Sequence, residues 1–245
     1  MMRKTISVVI LGLLAACGGK DEGPVYPEVA VSLPPQGETV TISGSTLFLG
    51  TPPRVRDIGV CQGDNLPIQD QSVRVKNGRL ADVLIYVKEG LEAFTFPHDK
   101  TEVEIDQKGC VFRPHVLAVQ VYQPIKIKNS DAIIHNVHFA SALKDQSFVT
   151  TITPARGSIG HQVRKPEIGL TVTCDLHAYM LMYVHALPHP FFAVTKEDGS
   201  FEIKDLPTGS YVIEAVHQKF GRQTSKIDVV AGQVISPMTF SFKSK

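Results

Sequence analysis

From Val40 onward, apolar and polar residues alternate with a period close to two, in short β-branched runs broken by Gly, Pro, Asn and Asp. No stretch keeps a helical period over three turns, so the pattern restricts the chain to an all-β fold, a sandwich or a barrel. Strands are expected over 40–43, 72–75, 83–87, 102–105, 116–122, 125–129, 136–140 and 170–174. Asn77-Gly78 and Lys88-Glu89-Gly90 mark tight turns around 83–87, and 91–96 suits one helical turn. Residues 142–165, with Pro154, Gly157 and Gly160, read as a long irregular connection covering one edge of a sandwich.

After Tyr183 the spacing tightens. Strands are expected over 191–195, 200–203, 210–217, 224–230 and 234–242, separated by Asp198-Gly199, Pro207-Thr208-Gly209, Gly221 and Gly232. This forms a second, smaller β-sandwich of about 55 residues, small enough to need support from the first. With 43% hydrophobic residues in 245, the chain can bury one good core and one small one. Lys+Arg 25 against Asp+Glu 24 gives no basic surface for nucleic acid.

Arg3 and Lys4 precede an apolar run from Ile6 to Leu14, a secretory signal too short to span a bilayer. Residues 18–38 hold Gly18, Gly19, Gly23, Pro24, Pro27, Pro34, Pro35 and Gly37, the composition of a flexible tether. An exported chain meets an oxidising compartment, where its four cysteines are expected to be committed.

The run Cys174-Asp175-Leu176-His177-Ala178-Tyr179-Met180 carries a thiolate, an imidazole and a thioether at C-x2-H-x2-M. Soft sulfur donors suit Cu(I), imidazole suits both oxidation states, and two histidines with a cysteine and a weak axial methionine make a blue-copper site. The second histidine is taken to be His135, in Asn129-Ser130-Asp131-Ala132-Ile133-Ile134-His135-Asn136. Zinc could use the same Cys and His. Met182 competes with Met180, and His138 falls on the strand face opposite His135. His115, His185 and His189 leave a second metal position open. The chain has no Cys-x2-Cys-His, Gly-x-Ser-x-Gly, His-Glu-x2-His or glycine-rich phosphate loop, and no catalytic residue is expected.

At the ligand loop and the Asn-x-Asp-x3-His-Asn segment the chain resembles the cupredoxins, with the ligand spacing of the amicyanins. The resemblance implies a Greek-key sandwich holding one type 1-like copper ion on His135, Cys174, His177 and Met180, with Asn136 bonded toward the ligand loop. Gly109-Cys110-Val111-Phe112-Arg113-Pro114-His115-Val116 and Phe192-Ala193-Val194-Thr195 resemble bacterial exported proteins that add a carboxypeptidase-regulatory-like module. Asp198-Gly199-Ser200-Phe201 and Pro207-x-Gly209-x-Tyr211 resemble that transthyretin-like module itself. Leu14-Ala15-Ala16-Cys17 resembles a lipobox, which implies a signal over 1–16 and a lipid on Cys17. Gly18 in place of Asp then favours the outer membrane.

The implied order is tether 17–38, copper domain 39–187 and regulatory-like module 188–245. The implied function is a one-electron carrier facing the periplasm or cell surface. Its redox partner would dock on an apolar rim around His177 formed by Ala178, Tyr179, Leu181 and Met182. The alternatives are copper storage or delivery without redox cycling, and a metal-free surface scaffold. With Cys17 given to lipid and Cys174 to copper by these resemblances, Cys61 and Cys110 are expected to pair. That crosslink contributes about 4 kcal/mol by loop-closure entropy. The rival pairing would put Cys174 in a disulfide and abolish the site. Tyr179 stands where many relatives have Trp, and Val216-His217-Gln218 departs from the module's Trp-His-Glu.

Overall fold

The computed structural model describes residues 23–35, 37–61, 66–143, 145–149, 152–233 and 235–244. The signal, the lipobox and Cys17 lie outside them. Among the described residues the fold is all-β, with no helix, and the turn at 91–96 is held by Phe94 N–H on Leu91 O rather than by a helical turn.

One sandwich faces two sheets across a core that includes Ile105, Ile125, Ile127, Val137, Phe139, Leu170, Val172, Met180 and Met182. Its first sheet runs β13 (Ser158–His161), β10 (Ile125–Asn129), β7 (Val103–Gln107), β8 (Phe112–Arg113). The second runs β12 (Phe148–Val149), β11 (His138–Ala140), β14 (Glu167–Thr173), β15 (Leu181–Leu187), β9 (Val116–Gln120). In β10 the alternation Ile125-Lys126-Ile127-Lys128 buries both isoleucines completely or nearly so, which makes it a one-face strand. The expected irregular connection contains β12 and β13, which cover one edge of each sheet, so backbone pairing replaces loop there.

The other sandwich packs β17 (Ser200–Pro207), β1 (Thr39–Leu49), β5 (Arg79–Leu80) and β4 (Val75–Lys76), with β20 (Met238–Lys243) parallel to β1, against β16 (Phe192–Val194), β6 (Leu84–Glu89), β18 (Gly209–His217) and β19 (Gly221–Val229). A hairpin of β2 (Asp57–Val60) and β3 (Pro67–Gln69) stands apart from these sheets.

This pairing corrects the expected division at residue 187. Strands β1 and β4–β6 lie in the segment assigned to the copper domain, yet β1 and β6 pair with C-terminal strands, β5 and β4 extend the sheet of β1, and together they fill the C-terminal core with Ile42, Phe48, Leu80, Ile85 and Val87. The physical reason is burial on both faces of β6. Ile85 and Val87 enter that core, while Leu84 and Tyr86 pack with Leu187 and Val216 where the two sandwiches meet. The chain crosses between sandwiches at 187–192. There His189 Nε2 donates to Val87 O at 2.8 Å, and its Nδ1 accepts the N–H of Phe191 at 3.2 Å.

Part of the expected tether lies on the body. Val25 N–H donates to Gln162 Oε1 at 2.9 Å, Tyr26 lies under Lys100 Nζ, and Ser32 forms a bridge with Thr95.

Candidate metal centre

The hairpin β14–β15 pairs Thr173 with Leu181, so Cys174 to Met180 are its connecting loop. Cys174 N–H donates to Met180 O (3.3 Å), Met180 N–H to His177 O (2.9 Å) and His177 N–H to Cys174 O (3.3 Å). The two ends of the motif therefore lie side by side and its histidine sits at the turn. Across the sandwich, Asn129 organises the segment after β10. Its amide donates to Ile133 O and Thr153 O, and its Oδ1 accepts Asp131 N–H at 3.0 Å. His135 then pairs with Thr153 in a β-bridge.

These supports bring His135, Cys174 and His177 together, their ligand atoms all within 4.8 Å of one another. His135 Nδ1 is 3.1 Å from His177 Nδ1 and 4.0 Å from Cys174 Sγ, which is 3.6 Å from His177 Nδ1. A point equidistant from the corners of a triangle with these sides (circumradius abc/4A) lies about 2.1 Å from each, the range of metal–nitrogen and metal–sulfur bonds. The residues therefore fit a single ion. His135 and Cys174 are buried and His177 is partly exposed. Met180 is fully buried in the same core as Cys174.

The electrostatics suit a thiolate. Burial pushes the Cys174 thiol up, but His135 and the N–H groups of Asn136, Leu176 and His177 more than reverse this and leave it below the ordinary value. Burial likewise opposes charge on His135, and Cys174 with Asp131 overcomes it, raising the imidazole. His177 is lowered, first by desolvation and then by His135. Asn136 bonds as expected toward the loop: its Nδ2 donates to Asp175 Oδ2 and its Oδ1 accepts Asp175 N–H, both at 2.7 Å.

A family model described as ER membrane protein complex subunit 7, beta-sandwich domain, matches residues 173–242. It supports a β-sandwich at the C-terminal end under a different description from the regulatory-like module expected there. No curated protein matches the chain. Among solved structures, the Cu-containing nitrite reductase from Thermus scotoductus SA-01 is 20% identical, with TM-score 0.33, over 41% of this chain and 25% of its own. The chain thus spans about a quarter of that relative. A reduced amicyanin carrying a single tryptophan-to-tyrosine substitution is 20% identical, with TM-score 0.32, over 35% of this chain and 81% of its own. A Cu(I) amicyanin in which one methionine is replaced by alanine is 16% identical, with TM-score 0.33, over 42% of this chain and 97% of its own.

Cys61 and Cys110 form a disulfide and Cys174 is free and buried, so the rival pairing is not adopted. Met182 does not join the apolar rim: it lies in β15 with its side chain fully buried in the core. Leu176 and Ile134, each beside a ligand in sequence, are the large exposed apolar residues there, at 52% and 49%. His115 lies edge-on to Tyr183 and faces Gln218, away from the ligand triad's contacts. His138 pairs with Asp175, and His185 accepts Gly169 N–H.

Sequence reasoning assigned no role to Asp131, whose Oδ2 is 3.0 Å from His135 Nε2. A carboxylate four residues before a candidate ligand was the available signal. The contact of Gly59 with Tyr179 had no sequence signal, because it joins β2 to the ligand loop across the fold.

Proposed function

We propose that this chain is an exported, lipid-anchored copper protein that takes up and passes on single electrons. The observation that carries the reading is the triangle of two imidazole nitrogens and one thiolate sulfur around a point about 2.1 Å from each. Two imidazoles and a thiolate, with the thioether residue Met180 closing the same loop, favour copper over zinc. The bound ion would supply a one-electron couple. His135 and Cys174, buried and held by hydrogen bonds from the surrounding chain, keep the donor set in place in both oxidation states. His177 reaches the surface and gives the shortest route to a partner. Leu176, Ile134, Ala178 and Tyr179 would form the apolar face for a brief encounter. The lipid on Cys17 would hold the protein at the outer membrane, and no catalysis is assigned to the chain.

Cu(II) added to the metal-free protein should give one equivalent of binding and an intense thiolate-to-copper band toward the red end of the visible spectrum. Cys174→Ser should abolish the band. Stoichiometric binding without colour would exclude the electron-transfer site and favour storage or delivery.

A further inference from the structure

The sulfurs of the Cys61–Cys110 disulfide and an oxygen of Asp131 lie within 4.8 Å of one another, and Asp131 contacts His135. Cys61 directly follows β2, and Cys110 sits in the turn between β7 and β8. In that turn Gly109 and Cys110 both have positive φ, +68° and +55°. Cys110 carries a side chain there, a conformation that needs surrounding support. The turn aims two successive N–H groups at one carboxylate: Gly109 donates to Asp131 Oδ1 at 2.6 Å and Cys110 to Asp131 Oδ2 at 2.9 Å. Asp131 Oδ2 also meets His135 Nε2 at 3.0 Å. An ionised carboxylate only accepts, so the neutral ring of His135 carries its hydrogen on Nε2, leaving the Nδ1 lone pair facing Cys174 and His177.

The crosslinked hairpin reaches the second histidine as well. A Cβ built on Gly59 would lie 2.8 Å from Tyr179 Cδ1, so glycine lets the hairpin backbone rest on that ring. The Tyr179 ring is 5.8 Å from that of His177.

We propose that the Cys61–Cys110 crosslink, acting through Asp131, is the positioning element of the metal centre: it fixes the tautomer and orientation of His135 that leave Nδ1 free to bind the ion. The proposal rests on the copper reading above for the identity of the ligands. Asp131 touches no ion; it acts through His135. A carboxylate used only to cap the Gly109–Cys110 turn would need no contact with the ligand. Here one oxygen serves both, coupling turn and ligand rigidly.

The test reads the ring nitrogens of His135 by NMR in metal-free protein, and copper affinity by competition with a chelator. At a pH where the ring is neutral, wild-type protein should show one tautomer, protonated at Nε2. Asp131→Asn should mix the tautomers and weaken copper binding about 10- to 100-fold. Reducing the metal-free protein with a phosphine should shift the same His135 signals, as should a Cys61→Ala/Cys110→Ala variant. Because the double variant could lose its fold, the reduced wild type, checked by circular dichroism, decides that arm. Asp131→Asn with wild-type tautomer and affinity would overturn the proposal, and unchanged His135 signals after reduction would overturn the disulfide's part. Wild-type protein that keeps the Nε2–H tautomer but takes up no copper would refute the copper reading and leave the positioning of His135 standing.

Discussion

Asn136→Ala measures what holds the loop 174–180 to the segment that leads into β11. Asn136 is 4% exposed and makes two bonds of 2.7 Å to Asp175, the residue after the cysteine. Losing the bond to the Asp175 amide costs about 1 kcal/mol. The bond to the Asp175 carboxylate is charge-assisted, but that group faces solvent, and screening leaves it little weight in stability. The cavity left by the amide adds about 0.5 kcal/mol. The total, about 1.5 kcal/mol, corresponds to a fall of about 3–6 °C in Tm for a chain of this size. Because the backbone N–H of Asn136 also favours the Cys174 thiolate, loosening this contact should weaken copper binding by about tenfold. Urea and thermal unfolding of the metal-free protein give the first quantity, and chelator competition gives the second. A stability change under about 0.5 kcal/mol together with wild-type copper affinity would refute the coupling of these two segments.

Acid should destabilise the metal-free protein through its buried histidines. Burial lowers His161, His185, His189 and His217 to about 4. Their unfolded forms titrate near 6.5, so the unfolded state binds more protons between those values. Their contribution is complete above about pH 7 and is lost as pH falls from about 6.5 toward 4, at up to about 1.4 kcal/mol per pH unit for each residue. Unfolding in urea at pH 7.5, 6.5 and 5.5 checks the sign, and greater stability at pH 5.5 would contradict it. Gly44→Val should cost more than about 3 kcal/mol, because a Cβ there would lie 2.2 Å from Met238 O and 2.6 Å from Phe201 Cζ, between β20 and β17. Gly160→Ala, with nothing within 4 Å of the new atom, should stay within about 0.5 kcal/mol, and thermal unfolding of the pair tests the packing of β1.

The ligand loop was legible because it is local. Cys174, His177 and Met180 occupy one hairpin connection, so seven consecutive residues contain its chemistry and its closure. His135 was legible from its chemistry and its Asn136 neighbour, although it lies far from the loop in sequence. Period-two alternation also gave most strands, because burial of one face leaves its mark on the residues of that strand alone. The alternation said nothing about partners. Nothing within β1 or β6 distinguishes a strand of the sandwich that carries the candidate site from one that completes the C-terminal core; that was decided by which distant faces bury Ile42 and Val87. Met182 had the composition of a rim residue, and only the inward register of β15 removed it from the surface. The same holds for Asp131: the sequence supplied the carboxylate, and folding supplied the two N–H groups and the imidazole that converge on it. The sequence alone determined the donor atoms and the strand content, since both are written in short runs. Which strands share a core, and what orients the ligands, were decided by tertiary structure, because those energies come from surfaces and dipoles that meet only when remote segments pack.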